Sequence, residues 1–145
     1  MTADVLGLDH VLIRPGTVTQ AQAIAEAAAR LESVGAVTGD YLAAMLERER
    51  TVSTYMGNEL AIPHGTSAAK GTVQRSAVVV LRYDGGVDWD GETVRFVIGI
   101  AGRGDEHLEL LARIAVLFSD QDDVERLKAV PTSVELHAML AAVND

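Results

Sequence analysis

The sequence predicts an α/β fold: a three-layer α/β/α domain with a mixed central sheet flanked by helices. Three observations carry this. Two long apolar runs, 76–82 and 93–101, are rich in β-branched residues and continuous rather than alternating, which is the pattern of strands covered on both faces. They follow each other closely enough to pair as a hairpin, while strands elsewhere are separated by helices, so the sheet should be mixed. Amphipathic segments lie on both sides of these runs in the chain and can supply the two outer layers.

Each element can be justified in order. The run 9–14 is apolar and ends at Pro15-Gly16, which makes it a first strand with His10 at its start, expected on the surface. Thr19 is a fitting N-cap for a helix over 21–34, where Ile24, Ala27, Ala28 and Leu31 fall on one face and Gly35 follows as the terminator. Asp40 heads a second helix with Leu42, Met45 and Leu46 inward; it closes on the charged run Glu47-Arg48-Glu49-Arg50. That run is either a solvated helix end or the source of an arginine that holds an anion.

Residues 51–57 are a polar connection, 60–62 a short strand, and 66–70 one possible helical turn. Tyr83-Asp84-Gly85-Gly86 is expected to turn after the first long strand, with a loop or edge hairpin over 87–92. After the second long strand, Gly102 to His107 forms a polar, glycine-containing loop running into a helix capped by Asp105. Leu108, Leu111, Ala112, Ala115 and Phe118 are the expected inward stripe of that helix. A short helix over 122–128 and a last one over 134–143 complete the chain, the latter with Leu136, Met139 and Leu140 inward and His137 exposed.

Composition narrows the function. At 145 residues and 48% hydrophobic the chain is long and apolar enough for one domain with a proper core, read as residues 1–145. No apolar run approaches the roughly 20 residues of a membrane span, and no secretory signal is visible, so a cytoplasmic protein without direct membrane insertion is expected. A net charge of −9 argues against a nucleic-acid partner. The absence of cysteine removes disulfides, zinc-thiolate sites and cysteine nucleophiles.

The stretch 54–66, TYMGNELAIPHGT, holds the chemistry. Pro63 fixes its own backbone and biases Ile62 to an extended form, and Gly65 permits a left-handed conformation or a close approach. His64 is therefore held at a strand end with a usable lone pair near neutral pH. The plain alternative is a turn with a surface imidazole. His107 would lie in the first turn of its helix, where the dipole disfavours a protonated ring. A metal site would need a third ligand such as Glu59 or Glu106 and lacks a His pair at i, i+4. No nucleophile elbow for a serine triad is present. Phosphoryl transfer through a phosphohistidine fits best: one nucleophilic imidazole, donors for three oxygens, and room for in-line attack.

At these residues the chain resembles the IIA components of the bacterial sugar phosphotransferase system, of the mannitol/fructose type and nearest the mannitol subtype. The matching segments are 41–49 (YLAAMLERE), 54–66 and 97–107 (VIGIAGRGDEH), so the likeness spans nearly the whole chain. The resemblance implies that His64 is phosphorylated by the histidine-containing phosphocarrier protein. One ring nitrogen would be held by a backbone carbonyl, and Arg48 and His107 would stabilise the transferring group. Phosphate would pass to a cysteine of a IIB component and on to mannitol, or a related hexitol or fructose, entering through a membrane IIC permease. The work would be done in trans and without a cofactor or a metal. The alternative it implies is a regulatory, nitrogen-type IIA module that is phosphorylated but controls protein partners. The chain departs from the mannitol subtype at Asn58, where that subtype has an acidic residue; Glu59 follows one step later. A metal-dependent hydrolase is a third reading.

Overall fold

The computed structural model describes residues 4–66 and 71–144. A five-stranded mixed sheet, in the order β1-β4-β5-β3-β2, is sandwiched between helices. The strands are β1 (Val11–Arg14), β2 (Tyr55–Gly57), β3 (Leu60–Ala61), β4 (Ala77–Trp89) and β5 (Glu92–Ala101). Helices α1 (Gln20–Ser33) and α2 (Tyr41–Thr51) form one layer. The other holds α3 (Glu106–Leu117), α4 (Gln121–Ala129) and α5 (Ser133–Leu140). β1 runs parallel to β4, β4 antiparallel to β5, and β5 parallel to β3.

The two-faced burial of the long strands follows from their alternation. Val79, Leu81, Tyr83 and Val97 meet α1 and α2, while Val78, Val80, Phe96, Ile98 and Ile100 meet α3 to α5. Small residues set how near α1 can come: a Cβ on Gly99 would sit 3.0 Å from the Ala27 Cβ. Thr19 caps α1 through a reciprocal box with Gln22. Gly35, at φ +78°, ends it, with Gly35 N–H donating to Glu32 and Ala36 N–H to Leu31.

Several expectations are corrected. β4 does not turn at 83–86. It runs on to Trp89 through a register shift, because Arg82 is buried and donates to Asp84 and to the Leu127 and Val130 carbonyls. Gly85 then packs on the Gly16 backbone, leaving no room for a side chain. The hairpin turn is Asp90-Gly91, both at positive φ, the form a two-residue loop demands. The polar connection contains an edge strand, β2. The chain before β1 is a 3-10 turn, Leu8–His10, and His10 is buried at 4% exposure with Nδ1 at 3.0 Å from the Val78 carbonyl. His137 is half-buried, its Nε2 at 3.0 Å from the Leu6 carbonyl. On α3 the stripe falls on Leu110, Ile114 and Phe118, and Leu108 is 69% exposed. Asp105 and Asp40 occupy cap positions without a side-chain capping bond. The turn expected over 66–70 lies, apart from Thr66, outside the described residues.

Candidate functional site

The histidine at 64 is fixed before any partner arrives. Leu60 pairs with Phe96 and Ala61 with Val97, and the chain stays extended to a last bridge between His64 and Ile100. Ile62 N–H donates to the Thr54 carbonyl at 3.1 Å, and Ile100 N–H to the Pro63 carbonyl at 3.1 Å. Pro63 suits this place because it accepts in the ladder and has no N–H to offer.

Beyond the histidine, the Tyr41 hydroxyl closes the structure. It donates to the Ile100 carbonyl at 2.8 Å and accepts the Gly65 N–H at 2.8 Å. Gly65 is required here for close approach rather than for a left-handed backbone: a Cβ would lie 2.6 Å from the Tyr41 ring. Tyr41 was given no role by the sequence. A tyrosine opening an amphipathic helix reads as core, and only the fold reveals that its hydroxyl serves two backbone groups.

His64 is 8% exposed, and its Nδ1 lies 2.7 Å from the Ile62 carbonyl. A carbonyl can only accept, so Nδ1 carries the proton and Nε2 the lone pair. Burial pushes the imidazole pKa below its ordinary 6.5; the Arg48 charge pushes the same way, against the Ile62 bond and the Glu49 charge. The neutral ring is thus favoured at pH 7.

Of the other two predicted residues, His107 lies against the ring and Arg48 is near enough for its charge to act on it. The His107 ring centroid is 4.9 Å from that of His64, tilted by 58°. His107 is the second residue of α3, and its backbone packs on Gly102 so tightly that a Cβ there would be 2.5 Å from the His107 Cα. Arg48 lies in the last turn of α2, where its Nη1 donates to the Val52 carbonyl at 2.6 Å.

Asn58 and Glu59 are elsewhere. They form the tip of the β2–β3 hairpin, both at positive φ. Leu60 pairs with Phe96 and His64 with Ile100, so about 13 Å of extended chain separates that tip from the histidine. Asn58 Nδ2 donates to the Phe118 carbonyl at the far end of α3 from His107. Glu59 is committed to Arg95 and Lys128. Neither reaches His107. Among the described residues no three His, Cys, Asp or Glu side chains are grouped to hold a metal ion.

A lone-pair imidazole beside an arginine and a second imidazole is suited to carrying a phosphoryl group. The family description "Phosphoenolpyruvate-dependent sugar phosphotransferase system, EIIA 2" matches residues 4–143. The chain belongs to this family. It is accordingly a phosphotransferase component acting in sugar uptake. It is 43% identical to the mannitol-specific phosphotransferase enzyme IIA component of Halalkalibacterium halodurans, over 100% of both chains. It is 45% identical to the corresponding component of Staphylococcus aureus (strain Mu50), over 88% of this chain and 89% of that one. The fold matches enzyme IIA mannitol of Escherichia coli, solved in complex with phosphorylated enzyme IIB mannitol. The TM-score is 0.87 at 34% identity, covering 94% of this chain and 96% of that one. The mixed sheet between helical layers is therefore that of the IIA proteins, as the sequence led one to expect.

Proposed function

We propose that residues 1–145 form one phosphocarrier domain that moves a phosphoryl group from the histidine-containing phosphocarrier protein to a IIB cysteine. The flow would serve uptake of mannitol, or a related hexitol or fructose, through a membrane permease. The observation that carries this is the state of His64: a neutral ring with Nδ1–H on the Ile62 carbonyl, in contact with His107 and within reach of the Arg48 charge.

Nε2 attacks phosphorus in line as the donor's P–N bond breaks, and the donor imidazole leaves neutral. Positive charge that develops on the His64 ring is shared through Nδ1–H with the Ile62 carbonyl. Arg48 and His107 donate to the phosphoryl oxygens. In the second half the IIB thiolate attacks the same phosphorus, and His64 departs neutral with its Nδ1 proton unmoved. No helix among the described residues is long and apolar enough to cross a membrane; we place the reaction in the cytoplasm, with the IIB component and the permease receiving the phosphate and the sugar.

The test is label from radioactive phosphoenolpyruvate, passed through enzyme I and the phosphocarrier protein. Acid-labile, base-stable label on wild type, absent from His64→Ala and chased onto a mannitol-type IIB cysteine, is expected. Label that persists in His64→Ala would overturn the site. Label refused by every member of a IIB panel would point to the regulatory alternative.

A further inference from the structure

We infer that Glu49 is a positioning residue for phosphoryl transfer: its carboxylate staples the turn after α2, so that the Ile62 carbonyl and Arg48 keep their places around His64. The inference rests on the proposed role of His64 and extends it to a residue whose hydrogen bonds go to the scaffold rather than to the ring.

Glu49 stands in the last turn of α2, where the helix dipole disfavours a negative side chain. Helix stability therefore does not explain it. Its hydrogen bonds do. Oε2 accepts the Thr54 N–H at 2.8 Å and the Trp89 indole N–H at 3.0 Å, and Oε1 accepts the Thr54 hydroxyl at 2.6 Å. Thr54 is 3% exposed and Trp89 fully buried, so the carboxylate is clamped between the turn and the core. From Thr54 the path continues: its carbonyl accepts the Ile62 N–H, and the Ile62 carbonyl accepts the His64 Nδ1–H. Glu49, Thr54, Ile62 and His64 thus form one hydrogen-bonded line from α2 to the reacting ring. Arg48 is tied to the same turn, at Val52. Val52 itself is 62% exposed, so packing does not hold the turn from outside.

Glu49→Gln keeps the shape but cannot accept from all three donors. Thr54→Val removes the hydroxyl, and Thr54→Ser restores it. Three readouts are needed: transfer rate from the phosphorylated carrier, the His64 tautomer by 15N NMR, and thermal unfolding. Glu49→Gln and Thr54→Val should each slow transfer by about tenfold or more, the weight of one misplaced charge-assisted bond. His64 should lose its single Nδ1–H form in both, at temperatures where each variant is folded. Thr54→Ser should recover rate and tautomer, and Glu47→Gln, on the exposed side of α2, should behave as wild type. If folded Glu49→Gln keeps the wild-type rate and tautomer, the inference is wrong. If Glu49→Gln does not fold, wild-type behaviour of Thr54→Val refutes it equally. The tautomer is read without phosphate, so the two failures are distinguishable: an unlabelled wild-type His64 would sink the relay and this inference with it, whereas a labelled wild type with an unchanged tautomer and rate in the variants would sink this inference alone.

Discussion

A methyl group added at Gly102 tests the placement of His107 without touching either imidazole. The Cβ of Gly102→Ala would sit 2.5 Å from the His107 Cα, 2.7 Å from its nitrogen and 2.8 Å from its Cβ. Ordinary van der Waals contact begins at 3.4 Å. These are mostly backbone atoms that cannot swing aside, so the first turn of α3 must move by about 1 Å. A misplacement of about 1 Å in a catalytic group costs on the order of 100-fold in rate, and overpacking of this kind costs about 1–3 kcal/mol of stability. Single-turnover transfer from the phosphorylated carrier should therefore fall by about that factor, while circular dichroism shows a folded protein with a lowered melting temperature. The loss should not be additive with His107→Ala, since the double variant can lose the His107 contribution only once. Wild-type transfer in folded Gly102→Ala would refute the reasoning. So would losses that multiply in the double variant, which would place the effect outside His107.

Four further outcomes follow from the same geometry. The His64 ring should titrate below 6.5 by NMR, and Arg48→Gln should raise the midpoint because the Arg48 charge now helps to lower it. A depressed imidazole makes the unfolded chain the stronger proton acceptor, so stability should be complete at neutral pH and decline as pH drops below 6.5, an effect absent from His64→Ala in denaturant titrations. Tyr41→Phe strips a partner from both the Ile100 carbonyl and the Gly65 N–H, and should cost about 1–3 kcal/mol in chemical denaturation. Asn58→Asp restores an acidic residue to the hairpin tip yet should leave the transfer rate unchanged; it loses the donor to the Phe118 carbonyl and puts charge at a helix C-terminus, costing about 1 kcal/mol.

The sequence disclosed what depends on local backbone chemistry and strong periodicity. Pro63 and Gly65 announced a fixed histidine, the β-branched runs announced the sheet centre, and Thr19 and Gly35 bounded α1 correctly. What it hid depends on partners distant in the chain. Asp84-Gly85-Gly86 has the composition of a turn, but the buried Arg82, satisfied by carbonyls of the α4 end, carries the strand through it. His10 and His137 look solvated until backbone carbonyls of Val78 and Leu6 are brought against them. On α3 the expected Leu111 and Phe118 do face the core, but leucine stands at both 108 and 110, and only packing against the sheet selects Leu110. Asn58 departs from the family pattern, but its distance from His107 is a property of the β2–β3 hairpin, not of residue spacing.

The charges around His64 suit a carrier rather than a terminal acceptor. A group that receives a phosphoryl and must surrender it gains nothing from binding the phosphorylated state very tightly; only interactions stronger in the transition state speed both halves. A ring of several cations would deepen the intermediate and slow its discharge. Here the neighbours on α2 act in opposition, Arg48 against the protonated ring and Glu49 in its favour, and burial decides the balance toward the neutral ring. On the proposed role of His64, the Arg48 guanidinium is then available to the phosphoryl oxygens, while the Glu49 carboxylate beside it is spent on holding Thr54 and Trp89. On the same proposal the Ile62 carbonyl would act in an even-handed way, supporting Nδ1–H whether the phosphoryl group is arriving or leaving.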